Sequence, residues 1–151
     1  MPEKIATTLS VNVLIDAPPQ TVWTAMTERM EEWFCPKPWR VELVEMDWRP
    51  GGRCAMIMRG PNGEQMPNEG VFLEVVPGSH FISTDAFTVG WQPAQPFMVG
   101  VWAIEQEGAG TRFTASARHW TVEASEQHRA MGFEQGWGVM AQQLKELCEA
   151  Q

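Results

Sequence analysis

The chain has 151 residues, the length of one compact domain, and reads as a single domain over 1–151. Its net charge of -8 repels phosphate backbones and anionic bilayers, so neither nucleic acid nor a membrane surface is an expected partner. Hydrophobic residues make up 44%, which excludes intrinsic disorder, and the bulky ones are unusual: eight Trp, ten Met and seven Phe, with no Tyr.

Residues 7–15 read as a strand, because Leu9, Val11, Val13 and Ile15 alternate with Thr8, Ser10, Asn12 and Leu14. Asp16 is an expected N-cap, and Pro18-Pro19 suits a first helical turn, so a helix starts near residue 18. Val22, Trp23, Met26 and Met30 follow at helical spacing, and Pro36 ends the helical stretch. Pro36-Lys37-Pro38-Trp39 then reads as a loop. Strands are predicted at 39–48, 53–59, 69–76, 80–87, 97–105 and 111–120. Arg49-Pro50-Gly51-Gly52, Gly60-Pro61-Asn62-Gly63, Pro77-Gly78 and Glu107-Gly108-Ala109-Gly110 are the turns between them. Residues 90–97 are a second loop. In 53–59 the arginines Arg53 and Arg59 should face water, which points Cys54, Met56 and Met58 inward. In 111–120 the face holding Phe113, Ala115, Ala117 and His119 is the inward one. One long helix is predicted over 123–149, with Phe133, Trp137, Met140, Leu144 and Leu147 as its apolar stripe. Gly132, Gly136 and Gly138 interrupt it. Close approach of the helix to the sheet is the expected reason, with a local kink or a roomy interior as alternatives.

The order is strand, two short helices, about six antiparallel strands and a long helix. It is an α+β pattern in which a curved antiparallel sheet wraps around the last helix. The three cysteines, Cys35, Cys54 and Cys148, have neither disulfide-framework nor zinc-finger spacing, so reduced thiols in a cytoplasm are expected. Residues 1–13 carry no apolar h-region, and no apolar run approaches the length of a membrane span. No phosphate-binding loop, dinucleotide fingerprint, nucleophile elbow or HExxH is present, so neither a cofactor nor a metal is expected.

Several stretches share an order with a known family. Asp16-Ala17-Pro18-Pro19 with Val22-Trp23 and Met26-Thr27 resembles the start of START-like, birch-allergen-like (SRPBCC) domains. Glu45-Met46-Asp47 with Arg49-Pro50-Gly51-Gly52-Arg53 is similar to their second hairpin. Met58-Arg59-Gly60-Pro61, Gly63, Gly70, Glu74-Val75-Val76-Pro77 and Thr84-Asp85-Ala86-Phe87 follow in order. His128, Met131-Gly132-Phe133 and Gly136-Trp137 resemble the last helix of one branch, the homologues of the activator of the heat-shock chaperone ATPase. The resemblance implies a helix-grip fold with a cavity between sheet and helix. It also implies a role among binders of lipids, polyketides, hormones or other hydrophobic molecules, some of which are cyclases or dehydratases. The chaperone activator carries a further N-terminal domain for which 151 residues leave no room, so a chaperone partner is not expected.

Trp33, Phe34, Trp39, Met56, Met58, Trp102, Phe133, Trp137 and Met140 are the expected lining of a pocket, since Trp and Met supply broad, adaptable apolar surface. Phe87, at the end of strand 80–87, is counted with that lining, and Trp91 and Phe97 belong to the segment 88–97, which either covers the mouth or forms a homodimer contact. His119 points inward, either as a hydrogen-bonded core residue or as a ligand anchor or acid/base group. Asp85 shares the parity of Phe81 and Phe87 and is the second titratable candidate, beside the reading that it is solvated or paired with Arg. His128 reads as helix-start packing. Three functions remain: a non-catalytic binder of a small hydrophobic molecule, which leads; a cyclase-like enzyme using His119; and a protein-interaction module.

Overall fold

The structure, a computed structural model, describes residues 7–150. Strand β1 (Thr8–Ile15) alternates as expected, burying Leu9 and Ile15 while Ser10, Asn12 and Leu14 face out. Helix α1 (Pro19–Glu28) buries Val22, Ala25 and Met26, and a 3-10 turn follows at Met30–Glu32. Asp16 does not cap α1. Pro18, with an extended backbone, holds the N-cap position, and the Asp16 N–H donates to the Glu149 carboxylate at 2.8 Å. The helix starts at Pro19, close to where it is expected, but its N-cap is Pro18, two residues past the aspartate and out of that side chain's reach.

The strands β2 (Arg40–Met46), β3 (Arg53–Arg59), β4 (Gln65–Val76), β5 (His80–Thr84), β8 (Val99–Glu107) and β9 (Gly110–Arg118) join β1 in one antiparallel sheet. Its order is β1-β9-β8-β5-β4-β3-β2, so β1 and β2, neighbours in sequence, are its two edges. A two-stranded hairpin, β6 (Phe87–Thr88) with β7 (Gln92–Pro93), stands apart in the segment expected to be a loop. The outer face of β3 is charged as expected. Arg53 donates to Glu69 at 2.8 and 2.9 Å, and Arg59 donates to Glu42 at 2.6 Å.

The last helix is two helices. Helix α2 (Val122–Ala130) starts with the Thr121 hydroxyl accepting from Ala124 N–H at 3.0 Å. Helix α3 (Phe133–Glu149) follows after a break at Gly132, which adopts φ 96°, ψ 31°. A left-handed residue there costs little only as glycine. Close approach to the sheet is not the reason for the other two glycines, because a Cβ on Gly136 or Gly138 would meet no atom within 4 Å. Gly132→Ala should therefore lower stability by about 1 kcal/mol, while Gly138→Ala should raise it by up to about 1 kcal/mol. Urea midpoints of the two variants check both signs.

Helix α3 packs along β1 and against α1, burying Phe133, Met140, Ala141, Leu144 and Cys148. Gln143 ties its far edge to the segment after the 3-10 turn. Its side-chain amide donates to the Trp33 and Cys35 carbonyls, both at 2.9 Å, and its carbonyl accepts from Lys37 N–H at 3.0 Å. The sheet thus curves around a helix that covers its β1 side more closely than its β3 side.

Candidate functional site

Strand β8 places Trp102 on the inner face, one pleat from Gly100. A Cβ on Gly100 would run into the Trp102 ring, so the glycine is what lets the indole lie back over its own strand. The ring stacks with Phe81 at 5.1 Å and with Trp137 at 5.8 Å, and Phe34 leans in at 6.1 Å. Trp102 is 4% exposed, yet its indole N–H has no hydrogen-bond partner among the described residues. A buried donor left unpaired costs about 1–3 kcal/mol, which makes this N–H the most conspicuous polar group of the inner face.

The residues expected to line a pocket divide into three groups. Trp33 is fully buried, donating its indole N–H to the Ala25 carbonyl at 2.9 Å, and Met56, Phe133 and Met140 are buried with it as core. Phe34, Trp39, Met58 and Trp137 pack against the core but stay half-buried, and Met98, which sequence reasoning missed, does the same. Gly136 lies seven residues before Gln143, hence on the edge of α3 that faces the segment holding Phe34. The third group sits elsewhere. Trp91, 53% exposed, lies over Gly51 and edge-on to Phe87 at 5.8 Å, and it holds a positive φ of 59°. Phe97 rests on two histidine rings.

Those rings form a pair that the spacing of nine residues did not reveal. His119, at the end of β9, and His128, on α2, are both buried. His119 Nδ1 lies 2.9 Å from the Thr7 carbonyl, and His119 Nε2 lies 2.9 Å from His128 Nδ1. A carbonyl only accepts, so His119 Nδ1 carries the proton and Nε2 is the acceptor. His128 Nδ1 must then be the donor, which leaves a bare lone pair on His128 Nε2. Burial, and then the neighbouring His119, push His128 down to about 4, so at neutral pH the ring is uncharged. Phe97, Phe133 and Trp137 surround it, with ring centroids at 4.7, 5.0 and 5.9 Å. Trp137 therefore touches both the histidine pair and the Trp102 stack.

Asp85 is placed to brace a loop. One carboxylate oxygen accepts from the N–H groups of Phe97 and Met98 at 2.7 and 3.3 Å. Strand β5 ends at Thr84, and the Thr84 hydroxyl donates to the Met98 carbonyl at 2.9 Å. The parity that aligned Asp85 with Phe81 is broken there. Cys35, Cys54 and Cys148 are free thiols, and burial pushes them up to about 11, 12 and 11, which leaves them protonated and unreactive at neutral pH. Among the described residues no three His, Cys, Asp or Glu side chains are grouped to hold a metal ion. No helix among them is long and apolar enough to cross a membrane.

Two open grooves lie outside the inner face. One, of about 420 Å³, runs between Glu45, Asp47, Arg49, Arg53 and Glu69 and the hairpin residues Thr88 and Val89. The other, of about 370 Å³, lies where the 3-10 turn meets Gln143, Glu146 and Leu147 of α3. Both are lined largely by charged or polar side chains, unlike the apolar inner face.

A seven-stranded antiparallel sheet curved around a C-terminal helix defines a helix-grip domain of the SRPBCC superfamily, whose members commonly bind hydrophobic ligands. Residues 16–149 match the family described as Activator of Hsp90 ATPase homolog 1-like protein, and the chain belongs to that family. A crystal structure of a protein from Nitrosomonas europaea is similar at 37% identity and a TM-score of 0.90, covering 96% of each chain. A Mycobacterium smegmatis protein shares the fold at 24% identity and a TM-score of 0.78, over 96% of this chain and 92% of that one. The AHSA1 protein of Silicibacter pomeroyi does so at 17% identity and a TM-score of 0.70, over 95% and 99%. None of the proteins of curated function matches the chain.

Proposed function

We propose that this protein binds a small hydrophobic molecule in the cleft between the inner face of the sheet and the N-terminal half of α3. One observation carries the reading. Phe34, Trp39, Met58, Met98 and Trp137 point inward and pack on the core, yet remain partly open to solvent. Apolar surface that faces inward without being sealed is surface a ligand can cover, at about 25 cal/mol per Å² removed from water. The unpaired Trp102 N–H adds a single orienting donor beside it. Gly136 supports the same reading, since open space adjoins it on the edge of α3 facing this side.

The test uses N-phenyl-1-naphthylamine, an uncharged probe that brightens in apolar surroundings. The native protein should bind one equivalent saturably. Gly136→Leu should weaken binding at least tenfold while leaving the melting temperature equal or higher, because leucine fills the open space and favours the helix. No saturable binding, or binding indifferent to Gly136→Leu, sinks the proposal.

A further inference from the structure

We infer that His128 Nε2 is a hydrogen-bond acceptor for the ligand, and that the cleft selects apolar molecules carrying a neutral, weakly acidic hydroxyl, a phenol or an enol. This rests on the cleft reading above and adds the chemistry of one end of it. The direction of every proton in the pair follows from the Thr7 carbonyl, which can only accept. Thr7 therefore sets the tautomer of His119, His119 sets that of His128, and the outermost nitrogen is left with a lone pair and no partner among the described residues. His128 is 7% exposed as a residue, and Phe97, Phe133 and Trp137 flank its ring, so a molecule reaching Nε2 meets aromatic surface on three sides. Trp137 continues into the cleft as the partner of Trp102.

The donor chemistry narrows the class. A carboxylate has no proton to give at neutral pH and would set its lone pairs against that of the imidazole. An ammonium group would have to shed its water among three aromatic rings, at high cost. A neutral hydroxyl meets neither penalty, and an aromatic or enolic one is the stronger donor. The pair also gives the proton somewhere to go. As the ligand O–H bond yields its proton to His128 Nε2, the His128 Nδ1 proton passes to His119 Nε2. The ligand oxygen keeps the electron pair and the negative charge, and the positive charge appears on His119, whose Nδ1–H still faces the Thr7 carbonyl.

Two probes with one skeleton test this: 2-naphthol, which has the hydroxyl, and 2-methoxynaphthalene, which lacks it. By calorimetry the native protein should bind 2-naphthol about tenfold tighter, the ratio expected of one added hydrogen bond of about 1.4 kcal/mol. His128→Phe should erase that ratio, with 2-methoxynaphthalene held within about twofold. In the unmodified protein, long-range ¹H–¹⁵N spectra should show the His128 Nε2 resonance moving toward the protonated position with 2-naphthol and staying put with 2-methoxynaphthalene. A pair that only staples the fold would move neither readout. Equal affinity of the two probes, or a ratio that survives His128→Phe, overturns the inference and leaves the cleft reading standing. Binding of neither probe to the native protein overturns both.

Discussion

Trp33→Ala should destabilise the protein by about 4 kcal/mol, in the range for truncating a fully buried tryptophan. Trp33 has 0% exposure and meets Phe34 and Phe113 edge-on at 5.6 and 6.0 Å. The Ala25 carbonyl that accepts its indole N–H also accepts Arg29 N–H at 3.1 Å, so it keeps one bond when the indole is gone. The cost therefore falls on the cavity and the lost apolar contact. For a chain of this length it should lower the melting temperature by roughly 8–16 °C. Urea unfolding measures it directly. The result also sorts two roles that sequence patterning could not separate. A loss under about 2 kcal/mol accompanied by failure to bind N-phenyl-1-naphthylamine would return Trp33 to the ligand site.

Stability should fall between pH 7 and pH 5 by about 2 kcal/mol on account of His128. In the folded protein burial and His119 hold this ring down to about 4, against 6.5 for an ordinary histidine. Between those values the unfolded ring takes up a proton that the folded ring refuses. The unfolded state then binds more protons, so stability rises with pH across that window. The contribution is complete above about pH 6.5 and gone below about pH 4, and over the whole window it amounts to about 3 kcal/mol. Arg29, Arg53, Arg112 and Lys145 hold Glu32, Glu69, Glu107 and Glu149 below the usual carboxylate value, so those groups act at more acid pH. Comparing urea midpoints at pH 7 and pH 5 therefore keeps these four carboxylates out of the difference, and the His128→Phe variant assigns it. His128→Phe should flatten the difference, and a native protein equally stable at both values would refute the assignment.

Much of this architecture was readable in the chain. Period-two alternation placed β1, β3 and β9 and gave the correct inward face for Met56, Met58 and His119. That works because a strand turns alternate side chains to opposite faces, so a polar set identifies the wet one. The family resemblance supplied the helix-grip arrangement, and the match over residues 16–149 agrees with it. The break at Gly132 was half legible. Three glycines signalled a disturbance, but only the backbone shows that Gly132 takes a left-handed conformation while Gly136 and Gly138 remain helical.

The site was legible as a composition and not as a place. Trp33 and Trp137 carry the same signal in sequence, bulky apolar residues on a helical or turn segment. One is sealed in the core, and the other bridges the Trp102 stack and the histidine pair. Met98 and Gln143 carried no pattern at all.

The opening excess of Trp and Met, the sheet with its wet and dry faces, and the order of elements all follow from local rules. Side-chain period, turn chemistry and the fixed φ of proline act within a few residues and are written along the chain. The pairing of His119 with His128, the unpaired N–H of Trp102 and the half-open state of Phe34, Trp39 and Met58 are of another kind. Each depends on where separate elements come to rest against one another, through contacts between residues far apart in sequence. Burial and hydrogen-bond direction arise only when those elements meet, and they leave one unpaired indole donor on the apolar inner face with the histidine pair beside it.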